Sequence, residues 1–224
     1  MQITVVGSHS WSLAPERGTV HLHVDIEGDD RAATSRAAAE VVDALGRDVH
    51  RLRQGHDAPL TWYSVGPLVT RSWRPWGPDG QPLPPRYGAS ADLRAKFRDF
   101  SALAEVTGGW AEREGVQLTH VEWALTEATR TASEAAALTR AVEQARARAL
   151  AIAQAAGYAT VEVEEVADPG LLVAPPPVGG PVPLAGSMAR AVAFKAEDAG
   201  GGGGLAPEDV RGEAVVHARF RAGR

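Results

Sequence analysis

Between Arg17 and Gly28 the chain alternates without a break, with Val20, Leu22, Val24 and Ile26 on one side and Thr19, His21, His23, Asp25 and Glu27 on the other. Successive side chains of a strand point to opposite faces, so this run demands a strand with one face in a core and the other wet or paired. Tyr87 to Asp99 repeats the pattern, setting Ala89, Ala91, Leu93, Ala95 and Phe97 against Ser90, Asp92, Arg94, Lys96 and Arg98. The chain between them carries a helix: Ala37, Val41, Leu45, Val49 and Leu52 recur at three- and four-residue spacing over residues 31 to 53, with Asp29 or Asp30 placed to cap it.

Leu60 to about Arg74 is rich in Trp, Tyr, Val and Thr and reads as a strand, and RPWGPDGQPLPPR, full of proline, reads as the loop or hairpin tip that follows. A shorter helix is expected from Ser101 to about Glu114, presenting Leu103, Val106 and Trp110, and then a strand in HVEWALTE. The order strand, helix, strand, strand, helix, strand from Arg17 to Glu127 is a split βαβ arrangement, which gives a mainly antiparallel sheet with its helices on one face. A third, longest helix over roughly residues 131 to 156, with Leu138, Val142, Ala145, Ala149, Ile152 and Ala156 as its apolar stripe, and the strands YATVEVEEVAD and EAVVHARFRA extend that core. The opening ITVVG is expected to be a short strand ended by Gly7. The fold class is α+β, in one domain over residues 1–224 around one shared apolar interior. Residues 169–207, Pro- and Gly-rich, form a flexible or functional loop in this reading, with MARAVAFKA as a short strand inside it.

A formal net charge of -5 and a pI near 5.8 exclude a nucleic-acid binder built on a clustered basic face. Cysteine is absent, which removes disulfides, thiolate catalysis and Cys-type metal sites. No run approaches the roughly 18 consecutive apolar residues of a membrane span. Met1 leads into ITVVG and then polar SHS rather than a basic stretch and an apolar core, so the chain is expected to be cytoplasmic.

An ordered set of segments, VVG near the start, the Pro15-Glu16 step before the alternating strand, YGASADLRAKFRD, AVEQARARALAIAQAAG and the closing LAPEDVRGEAVVHARFRA, resembles the SIMPL family over nearly the whole chain. The resemblance implies an α/β domain that self-associates, in some members into ring- or channel-like assemblies, with no established catalytic residues and no cofactor. It also implies roles in stress tolerance or partner binding, so a homo-oligomer is expected.

Three constellations carry candidate chemistry. His21, His23 and Asp25 project from alternate positions of one strand, and two imidazoles with a carboxylate are a metal-ligating set, which His120 or His217 would complete; the plainer account is the polar face of an amphipathic strand. Trp73 and Trp76 flank Arg74 in the proline-rich turn and form a candidate assembly or partner surface, unless the tip folds back over the sheet. Trp62, Trp110 and Trp123 are expected in the core. GSHS at Gly7 to Ser10 lacks the strained elbow of a nucleophile, and Gly200 to Gly204 lacks the Lys-Ser/Thr of a phosphate cradle, so no catalytic residue is assigned. The leading function is a non-enzymatic, self-associating scaffold or binding protein. The alternatives are a metal-binding protein, or a small-molecule enzyme with a pocket under the Pro/Gly-rich segment.

Overall fold

The computed structural model describes residues 1–172 and 205–224. Among them the elements run β1 (Gln2–Leu13), β2 (Arg17–Gly28), α1 (Arg31–Leu52), β3 (Leu60–Val65), β4 (Val69–Trp73), β5 (Arg86–Phe97), α2 (Phe100–Ala111), β6 (Val116–Ala124), α3 (Glu127–Ala155), β7 (Thr160–Ala167) and β8 (Val210–Gly223). The fold is α+β with antiparallel sheets, and the chain divides into two compact units. The apolar positions likewise sort into two clusters, where the sequence suggested one shared interior. Periodicity says that a residue is buried; it does not say against which sheet.

The described residues of Leu13–Thr126 and Gly204–Val210 make the first unit. Its five-stranded sheet has the order β3-β5-β2-β6, with β4 also bonded to β5, and the pairs of β5 with β2, β3 and β4 and of β2 with β6 are antiparallel. That is the split βαβ order expected from the sequence. Val20, Leu22 and Val24 of β2 and Leu93, Ala95 and Phe97 of β5 share a buried cluster with Leu45 and Val49 of α1 and Leu103 and Trp110 of α2, so both helices lie on the same face. Each helix begins at an aspartate: the Asp30 carboxylate accepts from the Ala33 amide at 2.7 Å, and that of Asp99 from Ser101 and Ala102 at 2.9 and 3.1 Å. Such caps satisfy amides that lack an intrahelical acceptor, and each contributes about 1 kcal/mol.

The single strand expected from Leu60 to Arg74 is two. β3 pairs with the far end of β5 and β4 with its near end, and the break falls at Gly66-Pro67, where proline has no N–H to give to a ladder. Beyond β4 the proline-rich segment is a hairpin tip. Leu83 N–H donates to Pro75 at 2.8 Å and Gly77 N–H to Gln81 at 2.8 Å, while Gly80 takes φ +74.

The described residues of Met1–Ser12, Glu127–Gly203 and Arg211–Arg224 make the second unit, a sheet of order β1-β8-β7 packed with α3. β1 does not stop at Gly7 but continues to Leu13. The buried stripe of α3 is Ala137, Ala141, Ala145, Ala149 and Ala153, while Leu138 and Ile152, expected inside, are 45% and 42% exposed. Alanines at every fourth position let the helix approach the sheet closely, and Gly7 is where it comes nearest: a Cβ there would lie 2.1 Å from the Ala141 carbonyl oxygen. The helix thus chose its smallest residues over its largest apolar ones. The Pro/Gly-rich segment, with its candidate strand and the pocket expected beneath it, falls mostly outside the described residues.

Gly7→Ala is therefore expected to destabilise by roughly 1–3 kcal/mol, as overpacking does, whereas Leu138→Ala stays within about 0.5 kcal/mol, as for an exposed site. Urea denaturation followed by circular dichroism measures both. Equal losses would contradict the assigned helix face.

Candidate interaction face and its open edge

The helix-free face of the five-stranded sheet carries the polar half of each alternating strand. Register sets Arg94 of β5 and His120 of β6 on either side of His21, Asp92 beside His23, and Ser90 beside Asp25. The His21 and His120 rings stack with centroids 4.1 Å apart and planes 16° from parallel. His21 Nε2 lies 3.6 Å from Glu122, too far for a hydrogen bond, and is buried without a partner. Burial pushes the His21 pKa below its ordinary value, and His120 and Arg94 add to the shift while Glu122 opposes it.

Its neighbours on β2 turn elsewhere. His23 Nδ1 meets Asp92 at 2.8 Å, and Arg71 of β4 reaches Asp25 at 3.0 Å and Glu27 at 2.6 Å. Where the spacing suggested one shared ion for His21, His23 and Asp25, the structure gives three separate pairings. Alternate positions on a strand stand about 6.6 Å apart, and each side chain is drawn across the sheet to its own partner. Among the described residues no group of three or more His, Asp or Glu side chains could hold a metal ion. His120 does adjoin His21, but His217 belongs to β8 in the other unit.

The tryptophans divide differently from expectation. Trp110 is buried and donates Nε1–H to Asp48 at 3.2 Å, and Trp123 packs edge-on to Phe100. Trp62, expected in the core, is exposed on the open face with the Lys96 ammonium 5.9 Å from its ring centre. The register shifts between Leu60, opposite Phe97, and Trp62, opposite Lys96, so one extra residue moves Trp62 onto the polar side. Trp73 is half-buried under the Arg71 guanidinium at 5.2 Å, Arg74 is exposed, and Trp76 at the tip is 73% exposed.

Among the described residues β3 pairs with β5 alone, so its other edge is bare. Gly66 N–H donates to Asp92 at 2.8 Å, and this fixes the phase of the ladder. Gly66, Ser64 and Trp62 turn their backbone groups toward β5, and Tyr63 and Val65 turn theirs outward. From Leu60 to Thr70 no residue is charged, and Trp62, Val65, Leu68 and Val69 are all exposed. A cleft of about 470 Å³ runs between this edge and α1, lined by Val42, Gly46, Arg47, His50, Tyr63 and Val65. Gly46 lines it, and nothing lies within 4 Å of where its Cβ would stand. The signal for this margin was present in the sequence as an uncharged run, but only the pairing reveals it as an edge.

The model of the SIMPL family, described as a protein of unknown function (DUF541), matches residues 3–220, from β1 through β8. The chain belongs to the SIMPL family. No curated protein matches it. Among the described residues of this SIMPL chain, no helix is long and apolar enough to cross a membrane.

In the SIMPL fold seen here, the lowered His21 pKa sets a direction for acid stability. The unfolded chain binds the proton first, near pH 6.5, so stability falls as pH drops below that value and levels off beneath the folded pKa. Ring-proton NMR is expected to show His21 titrating below 6.5, and His120→Gln is expected to raise that midpoint by removing one of its causes. An unmoved midpoint would rule out the coupling.

Proposed function

We propose that this chain is a non-enzymatic, self-associating scaffold or binding protein that assembles through the β3–β4 margin of its five-stranded sheet. The observation that carries the reading is the uncharged edge of β3, unpaired among the described residues, with exposed Leu68 and Val69 beyond it, the latter 59% exposed. Edge strands normally carry lysine, proline or a covering element, because unpaired backbone groups beside apolar side chains recruit other chains. From Leu60 to Gly66 the β3 edge has no lysine or proline, and such an edge is suited to being covered. Trp76 and Leu83 of the adjoining hairpin tip add two more exposed apolar groups, and with Arg74 they supply the residue types that dominate binding energy at interfaces.

Size-exclusion chromatography with light scattering tests this. An oligomer is expected at micromolar concentration, and Val65→Lys with Val69→Lys is expected to lower its mass, since both side chains are exposed and the core does not need them. A monomer at every concentration, or a mass untouched by both lysines, would contradict the proposal.

A further inference from the structure

The helix-free face of the five-stranded sheet distributes its charge unevenly. Toward the Asp25 end the carboxylates are held: Asp92 lies against His23 at 2.8 Å, and Arg71 meets Asp25 at 3.0 Å and Glu27 at 2.6 Å. Toward the Thr19 end the register places Trp62, Lys96, Thr19 and Glu122 in one row and Ser64, Arg94, His21 and His120 in the next. Neither Arg94 nor Lys96 forms an ion pair among the described residues, and the Glu122 carboxylate lies 3.6 Å from His21 Nε2.

A chain of net charge -5 thus sets two cations without counter-charge beside two imidazoles. Arg94 and Lys96 stand about 6.6 Å apart along one face of β5, and their long side chains reach a common point between them. Their mutual repulsion is a cost to the protein alone, and an anion at that point removes it. Burial first, then His120 and Arg94, disfavours the charged form of His21 in the same field, and its Nε2 is buried without a partner. Trp62 adds a different element. Its indole is 42% exposed and lies across the ladder from Lys96, whose ammonium is 5.9 Å from the ring centre. A flat apolar surface beside two cations suits a molecule with an aromatic ring at one end and an oxyanion at the other.

We propose that Arg94 and Lys96 bind the oxyanion of a small aromatic carboxylate, sulfonate or phosphate whose ring lies on Trp62. Arg94 supplies a planar fork for two oxygens and Lys96 a compact charge, and Ser64, opposite Arg94, adds a hydroxyl to the row. A nucleic-acid strand fits less well. Asp92 and Glu122 bound the patch on two sides, and their carboxylates repel the phosphates that would follow the first. The site belongs to the side-chain face, whereas the self-association proposed above uses the backbone edge of β3, so the two readings stand or fall separately. Binding is linked to protonation of His21, which faces Arg94 from β5 and His120 and Glu122 from β6, with Lys96 and Asp92 diagonal to it and His23 further along β2. An anion beside Arg94 favours the charged imidazole, so affinity rises as pH falls through the His21 pKa.

Naphthalenesulfonate, whose charge does not titrate where histidine does, is the probe, and amide NMR follows its addition to the full chain. Shifts are expected at the Trp62 indole N–H and at the amides of Arg94 and Lys96, with a dissociation constant near or below about 1 mM. Arg94→Gln and Lys96→Gln are each expected to weaken binding roughly tenfold, and Trp62→Leu about threefold to tenfold, while Trp76→Leu at the hairpin tip leaves it unchanged. Inorganic sulfate and neutral naphthalenemethanol, each one half of the probe, bind more weakly than the whole. The probe also raises the midpoint of the His21 ring-proton titration. Glu122→Gln is expected to tighten binding about twofold at low ionic strength, a gain that no misfolded variant gives. Shifts absent from these residues, an affinity untouched by Arg94→Gln and Lys96→Gln, or naphthalenemethanol binding as tightly as the sulfonate would each overturn the site. An oligothymidylate that binds more tightly than the probe would overturn its assignment to a small ligand.

Discussion

A sheet that does not close on itself ends in strands whose outward amides and carbonyls lack partners, and every other feature of such a fold is arranged around that fact. Here the helices settle the question of faces. α1 and α2 cover one side of the five-stranded sheet, and the alanine stripe of α3 is buried with the apolar residues of the three-stranded one. Nothing among the described residues settles the question of the β3 and β7 edges. The apolar residues that remain exposed collect at the same margins, with Trp62, Val65, Leu68 and Val69 along one and Val163 and Val166 along the other.

The elements themselves were largely legible. Alternation in β2 and β5 named the buried side chains directly, because a strand offers only two faces and the residues that fill them differ in kind. Asp30 and Asp99 sit before helices as a capping carboxylate should. α3 shows where such reading stops. The expected stripe holds Ala145 and Ala149, which are buried, but close approach to β1 at Gly7 sets Ala137, Ala141 and Ala153 in line with them and leaves Leu138 and Ile152 outside, a choice that belongs to the sheet it packs on and not to the helix. The sorting of the apolar positions into two clusters was hidden for the same reason.

The candidate surface was less legible, and each miss has a local cause. Trp62 sits past a one-residue register shift, which inverts the face that any alternation would assign it. His21, His23 and Asp25 do share a face, as their spacing required, but His120, Asp92 and Arg71 arrive from β6, β5 and β4 and divide them. Cross-strand neighbours are far apart in sequence, and no pattern within one strand contains them. The proline-rich turn offers Trp73 and Trp76 as an exposed pair or as a tip folded back over the sheet; Trp76 is exposed, whereas Trp73 is half-buried beside the Arg71 guanidinium.

Hydrogen exchange at single backbone amides tests most directly whether the bare edge is covered. Tyr63 and Val65 turn their N–H groups away from β5, whereas Ser64 gives its own to the ladder with Arg94. On raising the protein concentration, the amides of Tyr63 and Val65 should slow markedly while that of Ser64 stays as it was. Fast exchange at Tyr63 and Val65 at every concentration, in a sample that light scattering shows to be oligomeric, would mean that the subunits meet somewhere else.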